Sequence, residues 1–460
     1  LAVSASAQHL SIFKQKTYAH ASVSVCVLDA STGRTVSAYR SEESVTPASV
    51  LKLLTTSAAL DKLGPDFRFR TRVFATGTLA NGVLDGDLWV VGEGDPSLGS
   101  RQVGADSEAF LREWSSAVRA AGIRSVKGRI WADGRAYDDE GVSPFWLWED
   151  IGNYYATGVY GLNVFDNSFQ LELSSDSVGS LASIRSVNPP IPGLHIENHL
   201  IAAPNSLDSA YLYGAPFQSE MRLFGTLPAN RSRFTIRGQI PDPIQLLAVR
   251  FAEVLKQDGV AIEGQAASVR ESTVQRPESG STLLYTSWSP PLKQLLRIIH
   301  EKSDNFYAEC LLRQLAYQTG SRPATVRSGV RVVKQFCDSI GLDGTALSMF
   351  DGSGLSPNNR VSADFMAHLL AYMAVQSPNK SVFEASLPLA GREGTVAGFL
   401  KNTPLEGNLR LKSGSNQMVN AFAGYYRKNQ RNWVVVLLVN NANAPRAQVR
   451  KDLEIFLLSL

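Results

Sequence analysis

Val23, Val25 and Val27 alternate with smaller or polar positions, and with Val36 they bracket Asp29-Ala30-Ser31-Thr32-Gly33, which predicts a β-hairpin. The pattern then changes. From Val50 to Leu63 the chain is rich in Leu and Ala, with no Gly or Pro, and reads as a buried helix whose start is prepared by Pro47. After Gly64-Pro65 come short strands and Gly-rich turns at Gly82, Gly86 and Gly92 to Ser97. A helix near Ser107 to Ala121 and a strand near Arg129 to Ala132 follow, giving a small α/β unit. Alternating positions with several prolines make Val164 to Ile240 β-rich, and the amphipathic helix Ile244 to Gln257 closes at Asp258-Gly259. From about Leu283 helices dominate, including Leu292 to Ile299 and Phe306 to Tyr317. Strands return at Arg410 to Lys412, Ala421 to Tyr426 and Trp433 to Val439, with Lys428-Asn429-Gln430-Arg431 as the last turn, before a helix from Ala444 to Leu458.

Neither end of the chain has enough strands for a stable sheet, whereas together they supply four or five. The expected organisation is therefore discontinuous. Residues 1–66 and 281–460 form one α/β domain, 67–163 and 241–280 an inserted α/β domain, and 164–240 a nested β-rich domain. A length of 460 residues agrees with two or three cores.

Composition narrows the classes of function. With 44% hydrophobic and 19% charged residues the chain is a folded protein, and a net charge of +3 without any Lys/Arg run argues against nucleic acid as a partner. The longest apolar run, Trp433 to Val439, is strand-sized, so any membrane contact is peripheral. Leu1 to Gln8 is similar to the small-residue end of an export signal. Cys26, Cys310 and Cys337 lack metal-ligand spacing; they read as buried thiols, or as one thiol and a Cys310–Cys337 bridge if the protein is exported. His195-Ile196-Glu197-Asn198-His199 has a metal-like spacing but lies in a Pro-rich, non-helical stretch, and no Lys-Ser/Thr follows Gly92 to Asp95 to make a phosphate loop. No metal or cofactor is expected.

The chemistry begins with Lys52, set among Val50, Leu51, Leu53 and Leu54. Such a lysine either snorkels to water or sits where its charge is suppressed. Ser49, three residues earlier, shares its helix face, which is the arrangement of a serine nucleophile with a lysine base. About two Ser-x-x-Lys matches arise by chance in a chain this long, and Ser11 to Lys14 and Ser377 to Lys380 are such matches, neither opening a long apolar helix. Two further stretches add weight: Ser303-Asp304-Asn305 between two helices, otherwise an N-cap, and Lys412-Ser413-Gly414 on a strand.

In this order and on these elements, the three stretches resemble the signature of penicillin-interacting serine acyltransferases. The gap from Ser49 to Ser303, the Gly92 to Leu98 loop, Trp146-Leu147-Trp148-Glu149-Asp150 and Asp351-Gly352-Ser353-Gly354-Leu355-Ser356 are similar to the D-alanyl-D-alanine carboxypeptidase/endopeptidase family typified by penicillin-binding protein 4. The resemblance covers essentially the whole chain. It implies a β-lactamase/transpeptidase-like domain, an antiparallel sheet flanked by helices, carrying the inserted α/β and β-rich parts. It also implies peptidoglycan stem peptides as substrate, β-lactam antibiotics as covalent inhibitors, and an exported protein of the periplasm or cell envelope.

The residues divide the expected work as follows. Lys52, as a neutral amine kept so by burial and by Lys412, takes the proton of Ser49. Lys412 and Ser413 hold the substrate carboxylate, Asn305 orients the substrate amide, and Ser303 relays a proton to the departing amine. Backbone N–H groups of Ser49 and Ser415 form the oxyanion hole, with Gly414 allowing the close approach. In relatives the residue matching Asp150 and an Arg after the Gly-Leu-Ser stretch hold the substrate's side chain; here Asp150 and the aromatic Tyr155 are present, but Pro357 replaces that Arg and Arg360 is a candidate substitute. Two other readings stay open. A β-lactamase would need a deacylating Glu, for which Glu197 is the nearest candidate, with Ile201 where an Asn belongs, and a wall-binding scaffold would have no need of a buried lysine.

Overall fold

The computed structural model describes residues 9–270, 274, 280–428 and 431–460. The signal-like stretch Leu1 to Gln8 and residues Asn429 and Gln430 of the last turn lie outside the described residues. The chain forms two compact units: one of residues 1–67, 291–319 and 326–460, the other of residues 68–290 and 320–325.

The first unit is built on a five-stranded antiparallel sheet. Its order is Thr35–Tyr39, Ser22–Asp29, Arg431–Asn440, Val419–Lys428 and Leu409–Ser415, the last at an edge. Two strands come from the start of the chain and three from its end, joined in register through Val25 opposite Leu437. One face of this sheet buries Val23, Val25, Val27, Leu437 and Val439 with Phe456 and Leu457 of the helix Arg446–Ser459. Tyr18 ties the first turns to that helix by donating to Asp452 at 2.7 Å. Other helices of this unit include Lys52–Leu63, Leu292–Glu301, Asn305–Gln318 and Ala363–Val375.

The second unit has a five-stranded sheet ordered Ala266–Val269, Ile130–Asp133, Leu88–Gly92, Arg70–Ala75 and Thr282–Trp288, with helices Ala109–Ala120 and Pro243–Gln257. Two expectations change here. Thr282–Trp288 is a strand paired with Arg70–Ala75, so the chain returns to the first unit at Pro291 and not at 281, and helices take over only after that point. The β-rich stretch 164–240 does not stand apart: Phe169, Leu212, Met221 and Ile236 belong to the same buried cluster as Val73, Leu88, Trp114 and Phe251. Its short sheets have too little apolar surface to close a core of their own, and they share their neighbour's.

The metal-like stretch becomes the strand His195–Asn198, where Glu197 accepts from Arg222 at 2.7 Å and pairs with His199 at 2.6 Å. Cys26, Cys310 and Cys337 are buried thiols, so the Cys310–Cys337 bridge does not form. Among the described residues, no helix is long and apolar enough to cross a membrane.

Candidate active site

Ser49 lies in a 3-10 turn, Ala48–Leu51, that runs directly into the helix Lys52–Leu63. In a 3-10 turn residues three apart eclipse one another, so the hydroxyl of Ser49 is brought over the amine of Lys52 more closely than an α-helix would bring it. The serine is not a helix cap. Lys52 is fully buried, and its Nζ lies 2.9 Å from Ser49 Oγ, 2.6 Å from Asn305 Oδ1 and 2.7 Å from the carbonyl of Ser353.

These three partners suit both charge states of the amine. An ammonium donates to all three oxygens, whereas a neutral amine donates to the amide oxygen and the carbonyl, which can only accept, and turns its lone pair to the hydroxyl. Proton transfer from Ser49 to Lys52 therefore needs no rearrangement. Burial brings the Lys52 pKa down to about 8, a shift held back by the carboxylates of Asp351, Glu309 and Asp304.

Ser303 and Asn305 are placed by their neighbour. Asp304 takes the N-cap of the helix Asn305–Gln318, accepting from the N–H of Tyr307 at 3.0 Å. The cap therefore belongs to the middle residue of the stretch, which leaves Asn305 for Lys52 and Ser303, held at φ +57°, for Lys412. Lys412 Nζ donates to Ser303 Oγ at 2.8 Å and to the carbonyl of Ser413 at 2.6 Å.

Lys412 is fully buried, and burial followed by repulsion from Lys52 drives its pKa well below the ordinary lysine value. Burial lowers the pKa of both amines; at Lys52 the three carboxylates oppose it, and at Lys412 the charge of Lys52 adds to it.

The edge strand presses on the turn that carries the nucleophile. A Cβ added at Gly414 would lie 2.6 Å from the carbonyl of Pro47 and 2.9 Å from the backbone nitrogen of Val50, closer than side chains come, and 3.0 Å from the backbone nitrogen of Ser49. This contact brings the backbone of the strand against Ser49. Ser413 Oγ donates to Thr395 Oγ1 at 2.7 Å, and a cavity of about 150 Å³ opens onto Ser49, Ser303, Thr395, Ser413, Gly414 and Ser415.

Several residues here had gone unnoticed in the sequence. His300, one turn before Ser303, is buried between Thr56 Oγ1, 3.0 Å from Nε2, and Ser386 Oγ, 2.8 Å from Nδ1. Burial, then the charges of Lys412 and Lys52, push its pKa down to about 3, so it is a neutral spacer. Glu309 accepts from the N–H groups of Gly352 and Ser353 at 2.9 and 2.8 Å, fixing the carbonyl that receives Lys52; burial and Asp351 raise its pKa. A carboxylate inside the apolar run Phe306 to Tyr317, four residues after Asn305, was the signal that could have revealed it.

Asp150 and Tyr155 belong to the second unit, where their side chains are hydrogen-bonded to each other; burial, the larger influence, raises the pKa of both. Arg360 is in the first unit and anchors its own loop, donating to Thr46 Oγ1 at 2.7 Å, to the carbonyl of Asn359 at 2.8 Å and to that of Pro357. Its guanidinium braces the turn before Ser49.

Residues 7–458 match the D-Ala-D-Ala carboxypeptidase 3 (S13) family. The chain belongs to this family. It is thus a serine-type D-Ala-D-Ala carboxypeptidase, a hydrolase. A D-alanyl-D-alanine carboxypeptidase of Actinomadura sp. (strain R39) is 29% identical over 412 residues, which is 87% of this chain and 74% of the relative. The crystal structure of penicillin binding protein 4 (dacB) from Haemophilus influenzae superposes with a TM-score of 0.83 at 24% identity, covering 98% of this chain and 97% of the other. A second structure of that protein, complexed with a β-lactam, gives a TM-score of 0.77 at 23% identity and covers 98% of each chain. These likenesses extend the S13 fold over both units.

Proposed function

We propose that the chain removes the terminal D-alanine from peptidoglycan stem peptides through an acyl-enzyme on Ser49, and that the same residues cut cross-bridges between D-Ala and a diamino acid. The observation that carries this reading is the set of contacts around Lys52, which readies a hydroxyl for proton loss without moving an atom. Neutral Lys52 takes the proton as Ser49 Oγ attacks the carbonyl of the penultimate D-alanine. The oxyanion that forms is received by the backbone N–H groups of Ser49 and Ser415. Asn305 orients the acyl amide. Ser303, bonded to Lys412, hands a proton to the departing nitrogen and is reprotonated by the ammonium of Lys52, so the proton taken from Ser49 departs with D-alanine and Lys52 is neutral again. Water, deprotonated by the same base, then frees Ser49.

Asp150 and Tyr155 are proposed to hold the polar end of the stem-peptide side chain, in the absence of the family's Arg at Pro357. Penicillin acylates Ser49 and is released slowly. The proposed substrate and inhibitor support a location outside the cytoplasm, in the periplasm or cell envelope. The β-lactam held by the Haemophilus influenzae relative supports the inhibitor assignment.

Three measurements test this. Ser49→Ala is expected to stop release of D-alanine from a pentapeptide while leaving the melting temperature within a few degrees; normal turnover would refute the nucleophile. Intact-protein mass spectrometry after penicillin exposure is expected to show one stable adduct on Ser49, whereas rapid hydrolysis of the drug would favour a β-lactamase. A pentapeptide and a cross-linked dimer offered together separate carboxypeptidase from endopeptidase work.

A further inference from the structure

The cavity beside Ser49 contains a pair of cations that the steps above do not use. Arg446 and Arg450 line it together with Ser49 and Ser413. They stand four residues apart on the helix Arg446–Ser459 and so share one face. Arg446 donates to the carbonyl of Asn416, and the guanidinium carbon of Arg450 lies 5.8 Å from the ring centres of both Phe399 and Phe422. Those rings stack at 3.9 Å and give the cation a fixed platform. Among the described residues no carboxylate pairs with either arginine, whereas the partly buried Arg70, Arg135 and Arg250 are each paired with one.

Strand geometry says which side of the sheet this charge serves. Phe422 is the register partner of Ser413, so their side chains share a face, and Arg450 is held on that face. Lys412, the adjacent residue, points to the opposite face and spends its amine on Ser303 and its own strand. The carboxylate of a bound peptide therefore meets guanidinium groups beside Ser413 more readily than it meets the buried Lys412.

We propose that Arg446 and Arg450, with the hydroxyls of Ser413 and Thr395, bind the α-carboxylate of the residue that leaves, and so set the preference for leaving amines whose α-carbon bears a carboxylate. This rests on the proposed acylation of Ser49. It divides labour between the faces of one strand: Lys412 serves the leaving nitrogen through Ser303, and the arginines hold the leaving carboxylate.

The test compares two peptides that differ only in ending with a free carboxylate or a carboxamide. The wild-type protein is expected to favour the free acid in kcat/KM. Arg446→Gln and Arg450→Gln are each expected to lower that preference about tenfold, the usual worth of a charged hydrogen bond, with the loss in KM because the carboxylate is held before and during the reaction. Arg450→Lys should recover part of it. Arg446 is exposed, so its variant reads out binding even if Arg450→Gln unsettles the two phenylalanines. A preference kept within twofold in the double variant, or absent from an active wild type, would overturn the assignment of the arginines alone. Failure of the wild type to cleave either peptide would instead count against the acylation of Ser49.

Discussion

Lys52 is fully buried, and its three oxygen partners accept the amine in either protonation state. Since the base must be uncharged to act, kcat/KM for D-alanine release should climb about tenfold per pH unit below pH 8 and level off above it. A profile flat from pH 6 to 8 would remove Lys52 from that role. The same shift affects stability. The folded-state pKa is lowered from 10.5 to about 8, so between these values the unfolded chain keeps a proton that the folded chain has released, and stability rises with pH across that window. Relative to Lys52→Met, wild type is expected to gain about 3 kcal/mol from pH 8 to 10.5, read by urea unfolding at each pH. The sequence exposed this residue because a charge inside an apolar helix is conspicuous. It hid the influence of Asp351, Glu309 and Asp304, whose carboxylates oppose the lowering at Lys52 and which only folding brings near it.

At the level of elements, the site is a strand edge fitted to a helix start. Gly414 permits the fit, and Gly414→Ala is expected to slow acylation of Ser49 by penicillin on the order of 10²-fold, since the strand must retreat from the turn and loosen the oxyanion contacts. Stopped-flow labelling would measure this, and a rate within threefold of wild type would mean that the close contact is idle. Helices and strands with strong periodicity, such as Pro243–Gln257 and Arg431–Asn440, were legible to within a few residues. Thr282–Trp288 was not, because its partner Arg70–Ala75 lies some 200 residues away and its half-exposed side chains carry little pattern. Ser303, Asp304 and Asn305 were legible as a group, but the division of capping to the middle residue needed the backbone, with Ser303 turned to positive φ.

For the whole molecule, the decisive feature is where residues 68–290 leave and rejoin the first unit. Leu292 donates its N–H to the carbonyl of Phe67 at 2.8 Å, so the two chain ends of the first unit lie side by side. Replacing residues 68–290 with a short Gly/Ser linker is expected to leave the five-stranded sheet folded and Ser49 open to penicillin, as judged by circular dichroism and mass spectrometry; an insoluble or unlabelled product would show that the first unit depends on the second. The two ends of the sequence announced their union through strand arithmetic. The sharing of one core by residues 164–240 and their flanks was invisible, because apolar positions at those distances give no sign of which ones meet. The side-by-side placement of Phe67 and Leu292 has an evolutionary corollary. Any foreign module whose termini sit a few ångströms apart could be grafted there without redrawing the catalytic half, so the appended part is free to diverge toward new wall architectures while the chemistry stays as it is.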